Sequence, residues 1–525
     1  MKKFLSLLLC LCMLASVSAA FAEMPLVTEP ETLKIATWRR DGQVDYNDML
    51  MWQKYEALSG VHVEWTHLPN ATFTESRNAL FIDEAEGGSD VEAIYRAKLS
   101  LAEVNKYSSE ELLMPLDELI DQYAPNLKKF FDENPSVRKA LTMEDGHIYC
   151  VGYFNLCSGL TVGSRQFLNM NWMENLKAQG IDAKVPTTID ELTELLRLFK
   201  ANDANANGDP NDEIPMSAGS IDTVENCFKG AYALQTHGEN VDYIDTDKEG
   251  NLRFWPASDS YRKLLKQLHD WYTEGLLDEN IFTMDTAQNV AQGTANREGL
   301  YMAVNLTNVG GDIEPYYAGL PAALIGPDGD QMYTSCDSKI YSPASFVIMD
   351  SCSEEHAKLL IQWVDYFYSQ EGAELLFLVD EMLYDTDENG VHAYNDYVNK
   401  NPDGLTLTQV ISQHTCWSGG NCPTLLLDNV FIGGETKPIP LAAAKCMLPY
   451  LPEEIWEPVF FTVAQNDEKS PILTDLEQCI TEYRGAFITG TKDIDKDWDE
   501  FVKALTDMRY PRYLEIVQEA FDAAK

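Results

Sequence analysis

Residues 33–65 read LKIATWRRDGQVDYNDMLMWQKYEALSGVHVEW. Leu33 to Thr37 is a short apolar run of strand type, and Asn47 to Leu58 carries a helical pattern that stops at Ser59-Gly60. Val61-His62-Val63-Glu64-Trp65 then alternates apolar and polar with the period of a half-buried strand. Strand, helix, strand at this spacing is a βαβ unit, and it predicts a parallel sheet. Helical patterns follow at Leu112–Tyr123, Ile189–Phe199, Ser260–Glu274, Glu354–Ser369 and Trp498–Ala523, with short strands such as Ser345–Met349 between them. The fold class is therefore α/β, with no internal repeat and no low-complexity tether. Any domains must be joined by several chain crossings.

The chain has 525 residues, 84 of them acidic and 39 Lys or Arg, for a net charge of −45. Nucleic acid and anionic membrane surfaces are excluded as partners, because both are themselves negative. Lys2 and Lys3, the apolar run Phe4–Leu14 and Ala20-Phe21-Ala22 have the layout of a secretory signal peptide, residues 1–22. The apolar run is too short to span a bilayer. Leu9 and Leu11 precede Cys10 and Cys12 where a lipobox wants a small residue, so no lipid anchor is expected. The mature chain is expected to be exported, either periplasmic or extracellular and associated with the cell envelope. Nine of the 11 cysteines lie beyond the signal, an odd number without zinc spacing. Cys150/Cys157 and Cys416/Cys422 are the closest pairs in sequence, and an oxidising compartment permits disulfides, but spacing alone gives no connectivity.

Residues 203–215, DANANGDPNDEIP, place side-chain oxygens at Asp203, Asn205, Asn207 and Asp209, with Gly208 sixth and Asp212-Glu213 closing the segment. Calcium is a hard cation that takes six to eight oxygens, and this is the ligand order of an EF-hand-type loop. Ile214, not Glu, stands at the twelfth position, so Asp212 or Glu213 must close the site. A structural Ca2+ is expected, against the plainer reading of a surface turn built from Asp, Asn and Gly. Catalytic signatures are absent: there is no G-x-S-x-G, no H-E-x-x-H, no phosphate-binding loop and no dinucleotide fingerprint. No catalytic residue is proposed. With so many carboxylates a glycosidase-like pair could be drawn anywhere, so such a pair carries no weight.

Five separated segments then resemble one family in its own order. PTTIDEL (186–192) leads through Phe199-Lys200 into the oxygen-rich loop. PLDELIDQYAPNLKKFFDENP (115–135) and DGHIY (145–149) resemble first-lobe elements, and WYTEGLLDENIF (271–282) resembles a helix-ending signature. Glu354–Gly372 with Tyr366–Tyr368, and FITG (487–490) with Asp497-Trp498 and RYLEIVQEAFDAA (512–524), complete the set. The chain resembles extracellular solute-binding protein family 1 of ABC importers, in the long branch that includes alginate-binding and lipoprotein-type sugar-binding members. It departs from the family at GGSDVEAIY (87–95), where members carry a different turn. It departs again by one extra residue between Gly208 and Asp212.

The resemblance implies a type II periplasmic-binding-protein fold, two α/β lobes around an interlobe ligand cleft. It gives residues 23–155 and 338–378 to lobe 1, and 156–337 and 379–525 to lobe 2. It implies a monomeric carbohydrate-binding protein, not an enzyme, that delivers an oligosaccharide to ABC permease subunits. The alternatives are a binding protein for peptides or other solutes and a secreted carbohydrate-active enzyme. Ligands of such sheets bind beyond the carboxyl ends of strands. The candidates are therefore Trp38, Arg39 and Arg40 after the first strand, Tyr95 and Arg96, Tyr153, Asn305 and Asn308, and Trp417 in the loop CWSGGNC. Aromatic faces suit the apolar faces of sugar rings, and planar polar groups suit their hydroxyls. Trp38 and Trp417 are the expected platforms, whereas Trp271 and Trp498 are assigned to the core. A neutral or mixed sugar is expected, with an acidic one left open by the three arginines.

Overall fold

A computed structural model describes residues 24–387, 390 and 392–523. The expected signal peptide, with Cys10 and Cys12, lies outside the described residues. The opening βαβ unit forms as read. Strand Glu31–Arg39 runs parallel to Val61–Pro69, and the helix between them, Leu50–Ser59, ends on Gly60 at φ 77°. Only a residue without Cβ takes that left-handed cap at no steric cost.

The chain divides into two compact units, residues up to Phe154 with Ser342–Leu425, and Asn155–Tyr341 with Leu426 onward. Three crossings join them, as the absence of a linker required. Residues 379–425 fall in the first unit, which corrects their assignment to the second lobe. The physical reason is the loop around Trp417. The Thr415 hydroxyl donates to the Leu376 carbonyl at 2.5 Å, Trp417 packs 5.8 Å from Phe377, and Arg96 donates to the carbonyls of Ser418 and Gly420.

The sheet of the first unit has six strands, in the order Thr424–Leu427, Val151–Leu156, Ile340–Ile348, Ala93–Leu99, Glu31–Arg39, Val61–Pro69. Glu31–Arg39 is parallel to both its neighbours, and Ile340–Ile348 is antiparallel to Ala93–Leu99. An aromatic core packs on this sheet: Trp52 stacks 5.5 Å from Trp363 and meets Trp65 and Tyr95 at 4.7 and 5.3 Å.

The second unit holds a four-stranded sheet in the order Tyr317–Gly319, Arg165–Asn169, Glu298–Ala303, Ile214–Ala218. Its core contains Trp172, Trp255, Trp271 and Trp498. Trp271 and Trp498 are thus buried, as expected. The helix Ile189–Ala201 buries Ile189, Leu192, Leu195, Leu196 and Phe199, and its Thr188 cap accepts from the Glu191 N–H. Buried side chains recurring every three or four residues set its inward face. The long C-terminal helix read from sequence is two helices, Ile494–Asp507 and Tyr510–Ala523. Arg509 at φ 68° breaks it, with Pro511 in the first turn of the second helix.

Candidate functional site

The oxygen-rich loop leaves the helix Ile189–Ala201 and enters the strand Ile214–Ala218. Ala206 at φ 58° and Gly208 at φ 93° supply its turn. Asp203 folds back on the loop, accepting from the N–H groups of Asn207 and Gly208 at 3.0 and 2.9 Å. Asn205 and Asn207 each turn an amide toward Asp212, at 3.0 and 2.9 Å. Glu213 accepts the Ala204 N–H through Oε1 at 2.9 Å, while its Oε2 is buried without a hydrogen-bond partner. Burial, with Asp212 adding, pushes the Glu213 carboxyl above its ordinary range. Asp209 instead caps the N–H of Asn211 at 3.2 Å.

Among the described residues no group of three His, Cys, Asp or Glu side chains is gathered as a ready metal cage. The donor set still suits a hard cation. Asp203, Asp212 and Glu213 are carboxylates around one turn, the asparagines supply amide oxygens, and Glu213 Oε2 is an orphan acceptor. Arg297, with its Nε 3.5 Å from Asp212 Oδ2, is the positive charge already present.

In the first unit the candidates converge on Trp38. Its indole N–H donates to Asn70 Oδ1 at 3.0 Å, and the residue is 6% exposed. Lys98 Nζ sits 3.0 Å and the Arg96 guanidinium 4.2 Å from ring centroids of this indole. A Cβ on Gly419 would meet Trp38 Cη2 at 2.7 Å. Trp38 is therefore a packed hub with cations on its faces, which corrects the expectation of an open platform.

Tyr95 is also corrected. It is 0% exposed inside the aromatic core, with its hydroxyl 3.8 Å from Cys416 Sγ. Arg96 is fully buried too, and it is spent on the fold. Nη2 donates to the carbonyls of Ser418 and Gly420 at 2.9 and 2.8 Å, Nε to Gly420 at 3.0 Å, and Nη1 to the Tyr46 hydroxyl at 3.1 Å. Tyr153 is 3% exposed and borders Gly420.

Arg39, Arg40, Lys98 and Trp417 are half-buried. Arg39 pairs loosely with Asp45 at 3.9 Å, whereas Arg40 donates to Ser418 Oγ at 2.7 Å. Neither Arg40 nor Lys98 belongs to an ion pair among the described residues. Burial, then the charges of Arg96 and Arg40, pull the Lys98 ammonium down to about 8. Lys98 was missed in the sequence. Its one signal was a spacing of two from Arg96, the strand period. Ser418, Gln43 and Asn70 were missed as well, because only the fold brings them to Trp38, Arg40 and Arg96.

Asn305 and Asn308 lie in the second unit, on the turn after Glu298–Ala303. Asn305 donates to Glu435 Oε1 at 2.9 Å, and Asn308 to Asn289 Oδ1 at 3.0 Å. An open groove of about 740 Å³ in this unit is lined by Asp190, Glu194, Arg197, Asp270 and Glu274 among others, and it contains no aromatic side chain on which a sugar ring could stack.

No family model matches the chain. It is 27% identical over 518 residues to the fructooligosaccharide ABC transporter substrate-binding protein FusA of Streptococcus pneumoniae serotype 4 (strain ATCC BAA-334 / TIGR4), covering 94% of this chain and 90% of the relative. The structure of S. pneumoniae FusA with kestose superposes with a TM-score of 0.68 at 26% identity, over 94% of this chain and 99% of that one. The chain is thus similar, over almost its whole length, to the substrate-binding protein of an ABC transporter. An EF-hand mutant of FusA bound to fructo-nystose matches at TM-score 0.68 and 25% identity, over 94% and 99% of the two chains. An HMO-binding, ABC-transporter-associated solute-binding protein from Bifidobacterium longum infantis ATCC 15697 shares the fold at TM-score 0.74 and 20% identity, over 95% and 99%. The fold is that of the two-lobed periplasmic solute-binding proteins.

Proposed function

We propose that this protein captures an oligosaccharide outside the membrane and delivers it to the permease of an ABC importer, without changing the ligand covalently. The observation that carries this reading is the likeness to FusA along almost the whole of both chains. The absence of a catalytic motif agrees with it. A fructooligosaccharide is the first ligand to test, because that is the substrate class in FusA's name. Trp417, Arg40 and Lys98 in the first unit are proposed as sugar contacts. Trp417 supplies the remaining partly exposed indole, and the others supply donors for hydroxyls. The protein is proposed to act as an exported monomer. Among the described residues no helix is long and apolar enough to cross a membrane.

The loop 203–213 is proposed to hold one Ca2+ through Asp203, Asn205, Asn207, Asp212 and Glu213, with Asp209 at the outer edge. The ion would add positive charge to that of Arg297 and would give the orphan Glu213 oxygen a partner. The existence of an EF-hand mutant of FusA supports this assignment. Titration of the calcium-loaded protein with kestose and nystose tests the main reading. Saturable binding with intact sugar recovered supports it, and absence of heat with folded protein counts against it.

A further inference from the structure

The loop Cys416–Cys422 has a feature that sugar capture does not use. Gly419, Gly420 and Asn421 are all left-handed, at φ 90°, 69° and 60°, and the Gly420 N–H closes a turn on the Trp417 carbonyl at 2.8 Å. Three such residues in succession curl the chain back on itself and bring Cys422 Sγ to 3.9 Å from Cys416 Sγ. Both side chains are buried, Cys416 at 0% and Cys422 at 1% exposure, and among the described residues no group of three His, Cys, Asp or Glu side chains gathers there to hold a metal. The loop also carries Trp417, and its Ser418 and Gly420 carbonyls are the acceptors of Arg96.

We propose that Cys416 and Cys422 form a disulfide that fastens this loop across its neck. The sulfurs need only close from contact to bonding distance, about 2 Å. The expected export places the chain where such bonds persist. Burial raises the Cys422 thiol, but the hydrogen bond with Cys416 and the charges of Arg96 and Lys98 outweigh it, so Cys422 is the more acidic of the pair. Burial holds Cys416 above its ordinary range.

With glutathione disulfide as oxidant, the thiolate of one cysteine attacks one of its sulfurs as the loop opens locally, and one glutathione thiolate leaves. The other cysteine loses its proton and attacks the protein sulfur of the mixed disulfide, which expels the second glutathione thiolate. The two thiol protons of the protein pass to the two glutathiones. The oxidant is reduced and the pair is oxidised.

The test uses the full chain equilibrated with glutathione disulfide or with excess reduced glutathione, then unfolded, alkylated and digested. The oxidised sample should carry two fewer alkylated thiols and a linked peptide joining Cys416 to Cys422, and its melting temperature should exceed that of the reduced sample. Cys416→Ala with Cys422→Ala should erase both differences, and a Cys150→Ala control should keep them. Alkylation of both cysteines in the oxidised sample, or their linkage to other cysteines, overturns the proposal. The mass readout needs no sugar, so it stands apart from the fate of the oligosaccharide reading.

Discussion

Two regions of this molecule are each organised around a buried ionisable side chain, and they solve the problem in opposite ways. In the first unit Arg96 keeps its charge, because all three guanidinium nitrogens find acceptors in the loop 416–422, Tyr46 and Gln43. In the second unit Glu298, opposite Ile214 where the oxygen-rich loop enters the sheet, is 0% exposed beside Asp278. Burial, opposed by the Ser217 hydroxyl and aided by Asp278, pushes its carboxyl up to about 8. One region holds a charge by hydrogen bonding it, and the other holds a proton instead. A buried charge survives where the backbone supplies partners, and is neutralised where it does not.

The largest effect should come from pH. Glu298 has a folded value raised from the ordinary 4.5 to about 8. The stability tied to its proton is therefore fully present below about 4.5 and is lost as pH rises through about 8. Wild-type melting temperature should fall between those limits by more than that of Glu298→Gln, so the variant gains on the wild type as pH rises. Parallel curves would break the comparison on this side.

The other side is broken through Arg96. Replacing it with Met strands the Ser418 and Gly420 carbonyls and should cost about 3–4 kcal/mol, as charge-assisted hydrogen bonds to buried groups do when one partner goes. Arg96→Lys should recover only part, since an ammonium cannot fork to two carbonyls. Urea unfolding measures both, and a loss under 1 kcal/mol for Met would show the loop stands without it.

Calcium removal comes next. A ligand present at about 100 times its dissociation constant stabilises the folded state by about 2.7 kcal/mol. Chelation should lower the melting temperature by several degrees, and Asp203→Ala with Glu213→Gln should abolish that response. A melting temperature indifferent to chelator would show that the loop is only a turn.

The smallest expected effect is on ligand affinity. Trp417→Ala should weaken sugar binding by about 1–3 kcal/mol, the scale of an aromatic platform. Lys98→Met should change it by less and should raise no preference for acidic sugars. Calorimetry separates the two. A strong salt-sensitive preference of the wild type for uronic-acid oligosaccharides would instead assign the Lys98–Arg40 cations to an anion.

Local chemistry was legible in the sequence, and contacts between distant segments were not. The turn at 203–213 was legible because its Asp, Asn and Gly residues lie within eleven positions and hydrogen-bond one another locally. The βαβ opening was legible for the same reason, through an alternating strand and a glycine cap. The Trp38 hub was not. Lys98 reaches it from another strand and Gly419 from the other end of the unit, and no local period announces either contact. Tyr95 lies inside the strand Ala93–Leu99 and not beyond its carboxyl end, and its ring faces Trp52 and Trp363 because the sheet's inner face needed filling. Residues 379–425 were misplaced because their unit is decided by the Arg96 contacts, more than 300 residues apart in sequence.

The most direct test of the central claim is titration calorimetry of the calcium-loaded, folded protein with kestose and nystose, followed by chromatography of the recovered sugar. The account predicts saturable binding of at least one of them and recovery of unaltered ligand. Folded protein that binds neither these nor any other oligosaccharide, or sugar recovered as cleaved product, would contradict it.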